Sequence, residues 1–374
     1  MRKIVQVLPA LGWGGAQVFC IQLCNELACR YGYDVTLVSM YHHKPGRHLP
    51  LDLLDKKIKF ITLGKRPALD PTMFFKLRRL IAQLQPDVVH THLHAGYYCF
   101  LSYLNDNNGY KKVHTFHNLV KRDSPWLGRQ AFRYFFGQRI IIPVSISEEV
   151  FKGAVEEYGD CIKVLIENGS EPVKPTPLFD ETRNKIASLK KDANTKVLVN
   201  VARISAQKNQ QLLLESMQRL QDENVICLII GDYVPDDKKI YDALLASKPE
   251  NVFFMGKVNN VSDYLLNADA FVLSSIFEGA PISLLEALSG GVIPVCTPVG
   301  GLKDVITKDI GFLSVEVSGD AYTNALKAYL HAPEEEIIRL MRNGKELFDN
   351  KYSMKHCAAQ YKELYFNQLL GELV

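Results

Sequence analysis

Lys196-Val-Leu-Val-Asn-Val201 predicts a buried strand, because apolar and β-branched residues follow one another without polar alternation. Arg203 and Lys208 come directly after it, in a loop that passes into a helix beginning near Asn209. The stretch follows an Asn168-Gly169 turn and a segment with three prolines, which together predict an inter-domain linker. The strand, loop and helix after that linker therefore indicate that a second α/β domain starts here.

The strand and helix pattern extends from this stretch in both directions. Apolar runs predict further strands on the C-terminal side at 225–230, 252–255, 270–273 and 293–296. On the N-terminal side they predict strands at 3–8, 34–38, 59–62, 88–90, 113–115 and 140–144. Helical segments lie between these strands, which favours parallel sheets. The predicted fold class is α/β with two doubly wound domains, one of residues 1–165 plus a C-terminal helix at about 353–374, the other of residues 166–352.

Composition and charge limit the class of protein and the kinds of partner that the sequence predicts. The chain has 374 residues, 47% hydrophobic and 23% charged, which is typical of a globular protein of two domains. Residues 1–165 hold 22 Lys and Arg against 13 Asp and Glu, a net charge of +9, which leaves −6 for the remainder. The basic half suggests an anionic partner such as a phosphorylated or lipid-linked acceptor or an anionic membrane surface. No nucleic-acid-binding motif is present, so nucleic acid is not predicted.

The sequence predicts a cytoplasmic protein. Its eight cysteines include no Cys-x-x-Cys pair, and the apolar start at Ile4 turns at Pro9, too early for a signal peptide. No run of about 18 apolar residues occurs. Residues 74–79 and 129–139 mix aromatic side chains with cations. That pattern is typical of helices that dock on membranes and of amphipathic helices that cover a sheet, so association with the inner face of the membrane stays open.

Two stretches carry residues suited to binding anions and hydroxyl groups. Gly14 and Gly15 lie between the first strand and a helix, where backbone amides can contact a phosphate, although the loop is neither a dinucleotide fingerprint nor a P-loop. The alternative is a tight turn. Glu278 and Glu286 bracket the apolar turn after strand 270–273, and Glu286 lies on the predicted helix 282–289. The two could act as an acid and base, bind ligand hydroxyls, or only favour the start of the helix.

Histidines cluster in the first domain. His90, His92 and His94 alternate along a strand end and are predicted to share one face, with His117 after the next strand. This cluster has two interpretations, a metal site and a core or acceptor-binding role. No acidic ligand stands at metal spacing, so no metal is predicted. His117 is predicted to belong to a binding site.

Several motifs occur in the order and spacing of one family. They are Gly14-Gly15, Asp87-Val-Val-His90-Thr-His92, His114-Thr-Phe-His117, Val144-Ser145, Asn168-Gly169, Arg203-x4-Lys208, Gly256-x-Val258, Glu278-x7-Glu286 and Gly300-Gly301. The chain thereby resembles the retaining glycosyltransferases of family 4, also called glycosyl transferases group 1. That resemblance implies the GT-B architecture, in which two Rossmann-like domains face a central cleft. The N-terminal domain would bind the acceptor and the C-terminal domain the nucleotide-sugar donor.

The resemblance also implies roles for particular residues. Arg203 and Lys208 would hold the donor diphosphate together with the amides of Gly14 and Gly15, and Glu286 would bind the ribose hydroxyls. Glu278 would bind hydroxyls of the transferred sugar with His117 nearby. The remaining donor-binding positions would be Gly279, Ala280, Pro281 and Ile282 beside the sugar and Lys257 and Val258 beside the nucleobase. His117, Arg203, Lys208 and Glu278 are the predicted catalytic set.

The predicted function is transfer of a hexose from a UDP- or GDP-sugar to a glycan or lipid-linked glycan, in polysaccharide or cell-surface glycan biosynthesis. The resemblance implies a retaining reaction that needs no metal and no other cofactor, because Arg203 and Lys208 supply the positive charge. One alternative is a nucleotide-sugar 2-epimerase. The other is an inactive partner that only binds sugar nucleotides or glycans.

Overall fold

The computed structural model describes residues 1–44, 48, 51–104, 109–118, 120 and 126–367, and the chain divides into two units. Unit 1 is Met1–Ser170 together with Met354–Val374, and unit 2 is Glu171–Ser353. The C-terminal segment was predicted to extend to residue 374, and residues 368–374 lie outside the described part of the chain.

Unit 1 contains a parallel sheet of seven strands in the order β3-β2-β1-β4-β5-β6-β7. The strands are β1 Lys3–Leu8, β2 Asp34–Ser39, β3 Lys59–Thr62, β4 Val88–His92, β5 Lys111–Phe116, β6 Ile142–Ser145 and β7 Val164–Leu165. Val5 of β1 pairs with Thr36 of β2 on one side and with Val89 of β4 on the other. The strand order reverses between β1 and β4, and α/β sheets bind ligands at the carboxyl ends of strands at such a switch point.

Helices cover this sheet, and one of them comes from the end of the chain. They are Gly15–Cys29, Thr72–Leu84, Ala95–Tyr98, Phe100–Leu104, Trp126–Gly137, Glu148–Tyr158 and Met354–Phe366. The last helix packs against the N-terminal part of unit 1, where the Phe366 ring meets the Tyr33 ring edge-on at 5.1 Å. Lys111 at the start of β5 donates to the Leu364 carbonyl at 2.9 Å, which ties the same helix to the sheet.

The helix Trp126–Gly137 settles one open interpretation of the sequence. Phe132, Phe135 and Phe136 are buried, and Phe136 packs on Phe116 of β5 at 5.7 Å between ring centroids. These three aromatics therefore belong to the core, which agrees with the interpretation of this segment as an amphipathic helix that covers a sheet. An amphipathic helix that covers a sheet needs such an apolar face.

Unit 2 contains a parallel sheet of six strands in the order β10-β9-β8-β11-β12-β13. The strands are β8 Lys196–Val201, β9 Val225–Ile230, β10 Val252–Gly256, β11 Ala270–Leu273, β12 Ile293–Cys296 and β13 Phe312–Leu313. The helices are Phe179–Ala187, Gln210–Gln218, Lys238–Ser247, Val261–Leu266, Ile282–Ser289, Gly301–Val305, Gly319–Leu330 and Glu334–Leu347. The switch point lies between β8 and β11, where Val199 pairs with Phe271.

Most strands match their predicted positions, and the differences have local causes. β7 and β13 have two residues each and were not predicted, because two residues show no periodicity. The helix Glu334–Leu347 continues as a π-helical turn, Phe348–Tyr352. The predicted class of two Rossmann-like parallel-sheet domains is confirmed.

Candidate functional site

Lys208 and Glu278 form an ion pair in unit 2, with 2.6 Å between Nζ and Oε1. Lys208 lies in the loop after β8 and Glu278 in the loop after β11, and these two strands are neighbours at the switch point. Only 4% of the Glu278 side chain and 18% of the Lys208 side chain are exposed. The fold therefore joins two predicted site residues that are 70 positions apart.

Small polar residues hold this ion pair in place. The Ser275 hydroxyl donates to the same oxygen of Glu278, and the Ser275 carbonyl accepts from Thr297 Oγ1 at 2.7 Å. The Ser274 hydroxyl reaches the backbone carbonyls of Lys208 and Asn209 at 3.1 and 2.9 Å. These hydrogen bonds connect the loops after β8, β11 and β12, so they set the position of the Glu278 carboxylate.

The loop after Glu278 is shaped by a close approach of two glycines. A Cβ atom on Gly301 would stand 1.7 Å from the Gly279 carbonyl oxygen, and the Gly301 amide donates to the Glu278 carbonyl at 3.3 Å. Ala280 and Pro281 follow, and the helix Ile282–Ser289 begins directly after them. The predicted residues Gly279, Ala280, Pro281 and Ile282 therefore form one continuous segment next to the Glu278 carboxylate.

The remaining predicted residues of unit 2 lie at the carboxyl ends of other strands. Arg203 follows β8, is exposed, and has no hydrogen-bond or ion-pair partner for its guanidinium within the described residues. β10 ends at Gly256, directly before Lys257 and Val258. The Gly256 carbonyl accepts from the Gly231 amide at 2.9 Å, which joins this loop to the end of β9. Because all strands are parallel, these loops share one edge of the sheet with Glu278.

Glu286 is a half-buried carboxyl on the helix Ile282–Ser289. In the described part of the chain its carboxyl oxygens have no hydrogen-bond or ion-pair partner. Burial raises the pKa of Glu286 from 4.5 to about 7. A desolvated carboxyl without such partners is suited to accepting hydrogen bonds from ligand hydroxyls, which would favour its charged form.

Glu286→Gln should remove a pH-dependent cost to stability. A carboxyl whose pKa is higher in the folded state stabilises the protein below pH 4.5, and that contribution is lost as the pH rises through about 7. Because glutamine does not ionise, the variant should gain about 2 kcal/mol over wild type between pH 5 and pH 8. Urea unfolding at both pH values measures this difference. Glu250→Gln, at an exposed carboxylate, is the control, and an unchanged difference in Glu286→Gln would contradict the expectation.

In unit 1, Gly14 and Gly15 stand between β1 and the helix Gly15–Cys29. Both are exposed, and the Gly14 carbonyl accepts from the amides of Gln17 and Val18 at 3.2 and 3.1 Å. The first turn of this helix holds no acidic residue. A helix N-terminus of this kind carries partial positive charge and amides that can contact an anion.

His117 follows β5 and is buried. Its Nε2 lies 2.9 Å from Nδ1 of His92, and Nε2 of His92 lies 2.7 Å from Oε1 of Gln6. Burial lowers the pKa of His117 to about 3, so the imidazole is neutral near pH 7. A neutral ring can accept or donate a hydrogen bond but supplies no positive charge.

The predicted common face of three histidines is only partly correct. His90 and His92 have ring centroids 4.1 Å apart, but β4 ends at His92, and Leu93 adopts a left-handed conformation with φ of 52°. That turn takes His94 to the start of the next helix, where its ring meets Tyr97 at 6.1 Å. Within the described ranges, no three His, Cys, Asp or Glu side chains are grouped so as to hold a metal ion.

Sequence reasoning missed several residues that shape these sites. Ser275 and Thr297 support Glu278, and Gln6 and Tyr365 support the histidines. The role of Gln6 could have been predicted from the sequence, because a polar residue inside an otherwise apolar strand must find a buried hydrogen-bond partner. The role of Tyr365 could not have been predicted, since its hydrogen-bond partners lie on β1 and β4, far away in the sequence.

Comparisons with known proteins agree with this architecture. Residues 13–159 match the model "Glycosyltransferase Family 4", and residues 181–346 match "Glycosyl transferases group 1". The chain is similar to UDP-Gal:alpha-D-GlcNAc-diphosphoundecaprenol alpha-1,3-galactosyltransferase of Escherichia coli, with 25% identity over 401 residues that cover 98% of this chain and 97% of the relative.

Solved structures show the same fold. Anabaena Alr3699/HepE in complex with UDP and glucose superposes with a TM-score of 0.80 at 14% identity, covering 97% of this chain and 99% of that one. A glycosyltransferase from Rickettsia africae ESF-5 gives a TM-score of 0.79 at 19% identity, with 97% of each chain covered. At these sequence identities the comparison shows that the fold is shared and shows nothing about substrates.

The two Rossmann-like domains and the matching family models define a glycosyltransferase of the GT-B type. The two models together span most of the chain. The chain belongs to glycosyltransferase family 4.

Proposed function

We propose that this enzyme transfers a hexose from a UDP-sugar to a lipid-linked glycan, with retention of configuration and without a metal ion. The observation that carries the proposal is the Lys208–Glu278 pair at the switch point of unit 2, with Arg203 at the same sheet edge. Two cations there can stabilise the negative charge that develops on a leaving diphosphate. Metal ions supply that charge in many phosphate-binding sites, so the cations remove the need for one.

The reaction breaks the bond between the anomeric carbon and the diphosphate oxygen. The acceptor hydroxyl forms the new bond to that carbon on the same face, and its proton passes to the departing diphosphate. Glu278 and Glu286 then need not act as nucleophile or base, and we assign them to binding hydroxyls of the sugar and the ribose. A pair of this kind favours reaction by holding the donor in one orientation.

Further residues are assigned by the same proposal. The segment Gly279, Ala280, Pro281 and Ile282 contacts the sugar, and Lys257 and Val258 flank the nucleobase. In unit 1 we propose that amides of Gly14 and Gly15 contact a phosphate group and that His117 contacts a sugar hydroxyl. The neutral state of His117 supports a hydrogen-bonding role over an electrostatic one.

The donor and acceptor are proposed from similarity and charge. The Escherichia coli relative is named for UDP-Gal and for an acceptor linked to diphosphoundecaprenol. Residues 1–165 carry a net charge of +9, which favours an acceptor that bears a diphosphate. We therefore propose UDP over GDP as the carrier and a role in polysaccharide or cell-surface glycan biosynthesis.

The test begins with thermal shift in UDP, GDP and their hexose conjugates, since a bound ligand raises the melting temperature. UDP-hexoses are then incubated with a polyprenyl-diphosphate-linked sugar, with and without EDTA, and the anomeric configuration of the product is read by NMR. An α-linked product from an α-linked donor, unaffected by EDTA, supports the proposal. An epimerised donor without transfer, or loss of turnover in EDTA, contradicts it.

We also propose that unit 1 contacts an anionic membrane surface. No helix within the described residues is long and apolar enough to cross a bilayer. Phe75 is 64% exposed on the helix Thr72–Leu84 beside exposed Arg78 and Arg79, and Trp126 is 62% exposed. Exposed aromatics next to cations favour the interface of anionic lipids.

Phe75→Ser is expected to weaken binding to vesicles that contain anionic lipid by about tenfold, on the scale of one buried aromatic side chain. Co-sedimentation with anionic and neutral vesicles measures the partition. Ile338→Ser, at a 58% exposed position of unit 2, is the control and should change nothing. Equal binding to both kinds of vesicle would contradict the charge-based part of the proposal.

A further inference from the structure

We propose that Gln6 and Tyr365 are positioning residues that hold His117 in a single tautomer, with the proton on Nε2 and the lone pair on Nδ1. The inference rests on the proposed function only in linking that tautomer to a sugar hydroxyl. Gln6 lies on β1 and Tyr365 on the C-terminal helix Met354–Phe366, so both act through other side chains.

A buried chain of hydrogen bonds connects these residues. From His117 it passes to His92 at 2.9 Å and from His92 to Gln6 at 2.7 Å. The Gln6 amide nitrogen then donates to the Tyr365 hydroxyl at 3.1 Å. That hydroxyl lies 2.6 Å from Nδ1 of His90, whose Nε2 lies 2.7 Å from Thr115 Oγ1. All of these residues are buried, Gln6, His90 and Thr115 completely.

The donors and acceptors in this series of hydrogen bonds can be arranged in only two ways, one the reverse of the other. A neutral imidazole has one N–H and one lone pair, a tyrosine hydroxyl has one proton, and an amide donates only through nitrogen. If the donor and the acceptor of one of these hydrogen bonds are fixed, they are fixed for every other hydrogen bond between Thr115 and His117 as well. In one direction His117 carries its proton on Nε2, and in the reverse direction it carries the proton on Nδ1.

The Gln6 side chain determines which of the two arrangements occurs. Its Oε1 faces Nε2 of His92, and an amide oxygen has no proton to give, so His92 must donate there. Nδ1 of His92 then carries no proton, and Nε2 of His117 must donate its proton to the lone pair of that nitrogen. At the other side Tyr365 accepts from Gln6 and gives its proton to Nδ1 of His90.

Burial supports the neutral state on which this reasoning depends. It lowers the pKa of His90 and of His92 well below the usual 6.5, and neighbouring histidines lower both further. None of the four hydrogen bonds that the three histidines form in this series has a carboxylate as partner, which would favour an imidazolium. In this tautomer His117 carries its lone pair on Nδ1, and an imidazole nitrogen in that state can accept a hydrogen bond from a hydroxyl but cannot donate one.

Two tyrosines on one helix provide a matched pair of variants. Tyr365→Phe removes the hydroxyl between Gln6 and His90, which frees the amide to turn over. Tyr361→Phe, one turn earlier and equally buried, removes a hydroxyl that lies 2.9 Å from Thr115 Oγ1. Gln6→Met is a second variant of the selecting group. His117→Asn identifies the His117 signals.

The tautomer is read from two-bond ¹H–¹⁵N correlations of ¹⁵N-histidine-labelled protein. Wild type and Tyr361→Phe should show His117 as the Nε2–H tautomer alone, whereas Tyr365→Phe and Gln6→Met should show both tautomers. An Nδ1–H tautomer or an imidazolium in wild type at pH 7 would overturn the proposal. So would identical His117 signals in all four proteins.

Turnover tests the consequence for the sugar. Tyr365→Phe should lower kcat/KM by about tenfold, the scale of one misdirected hydrogen bond, and Tyr361→Phe by less than about twofold. Equal losses in both variants, in parallel with their melting temperatures, would indicate a structural role and sink the inference. The tautomer measurement needs no donor, so failure of the proposed donor assignment would leave its result intact.

Discussion

Lys208→Met should lower kcat/KM by roughly 10²- to 10³-fold, the usual effect of removing one fixed group that stabilises developing charge. Methionine keeps the length of the side chain but carries no ammonium. The Lys208 ammonium contacts Glu278 at 2.6 Å and lies at the switch point where we propose that the diphosphate leaves. Steady-state kinetics with the UDP-hexose found by screening measures the loss.

The same substitution should also destabilise the fold, and this allows the two effects to be separated. Glu278 is only 5% exposed, so removing Lys208 leaves a buried carboxylate with Ser275 as its remaining donor in the described part of the chain, at a cost of about 3 kcal/mol. The double variant Lys208→Met/Glu278→Gln should regain most of that stability, because no charge remains buried. Turnover of the double variant near the wild-type level would show that the pair is structural.

Gly231→Ala should cost about 4 kcal/mol of stability, because backbone strain and overpacking add at one position. Gly231 has φ of 148°, a conformation that side chains rarely adopt. An added Cβ would stand 1.9 Å from the Ala202 carbonyl oxygen, which belongs to the backbone and cannot move without displacing the loop that carries Arg203. Urea unfolding measures the loss.

Gly256→Ala is the matched control for that variant. Gly256 also has a positive φ, 69°, and its carbonyl accepts from the Gly231 amide, but an added Cβ would meet no atom within 4 Å. Its cost should be that of one left-handed residue, about 1 kcal/mol. If the two variants lost equal stability, close packing against Ala202 could not be the cause.

Buried strands with long apolar runs were predictable from their sequence. β8 was predicted as Lys196–Val201 and β11 as Ala270–Leu273, and the helix Ile282–Ser289 was predicted with the same bounds. Continuous apolar runs identify strands buried on both faces, and the inward leucines identify the helix. His94 was placed wrongly because alternation along a strand does not reveal where the strand ends. The left-handed Leu93 ends that face.

Residue types and their spacing along the chain follow from the sequence alone. It places cations after β8, carboxylates after β11 and a polar Gln6 within an apolar strand. The order of strands within each sheet is a tertiary property, because patterning shows which faces are buried but not which strands are neighbours. β8 lies beside β11 although β9 and β10 come between them in sequence. Lys208 meets Glu278, and Tyr365 meets Gln6, only because burial of all these apolar faces at once leaves that one arrangement.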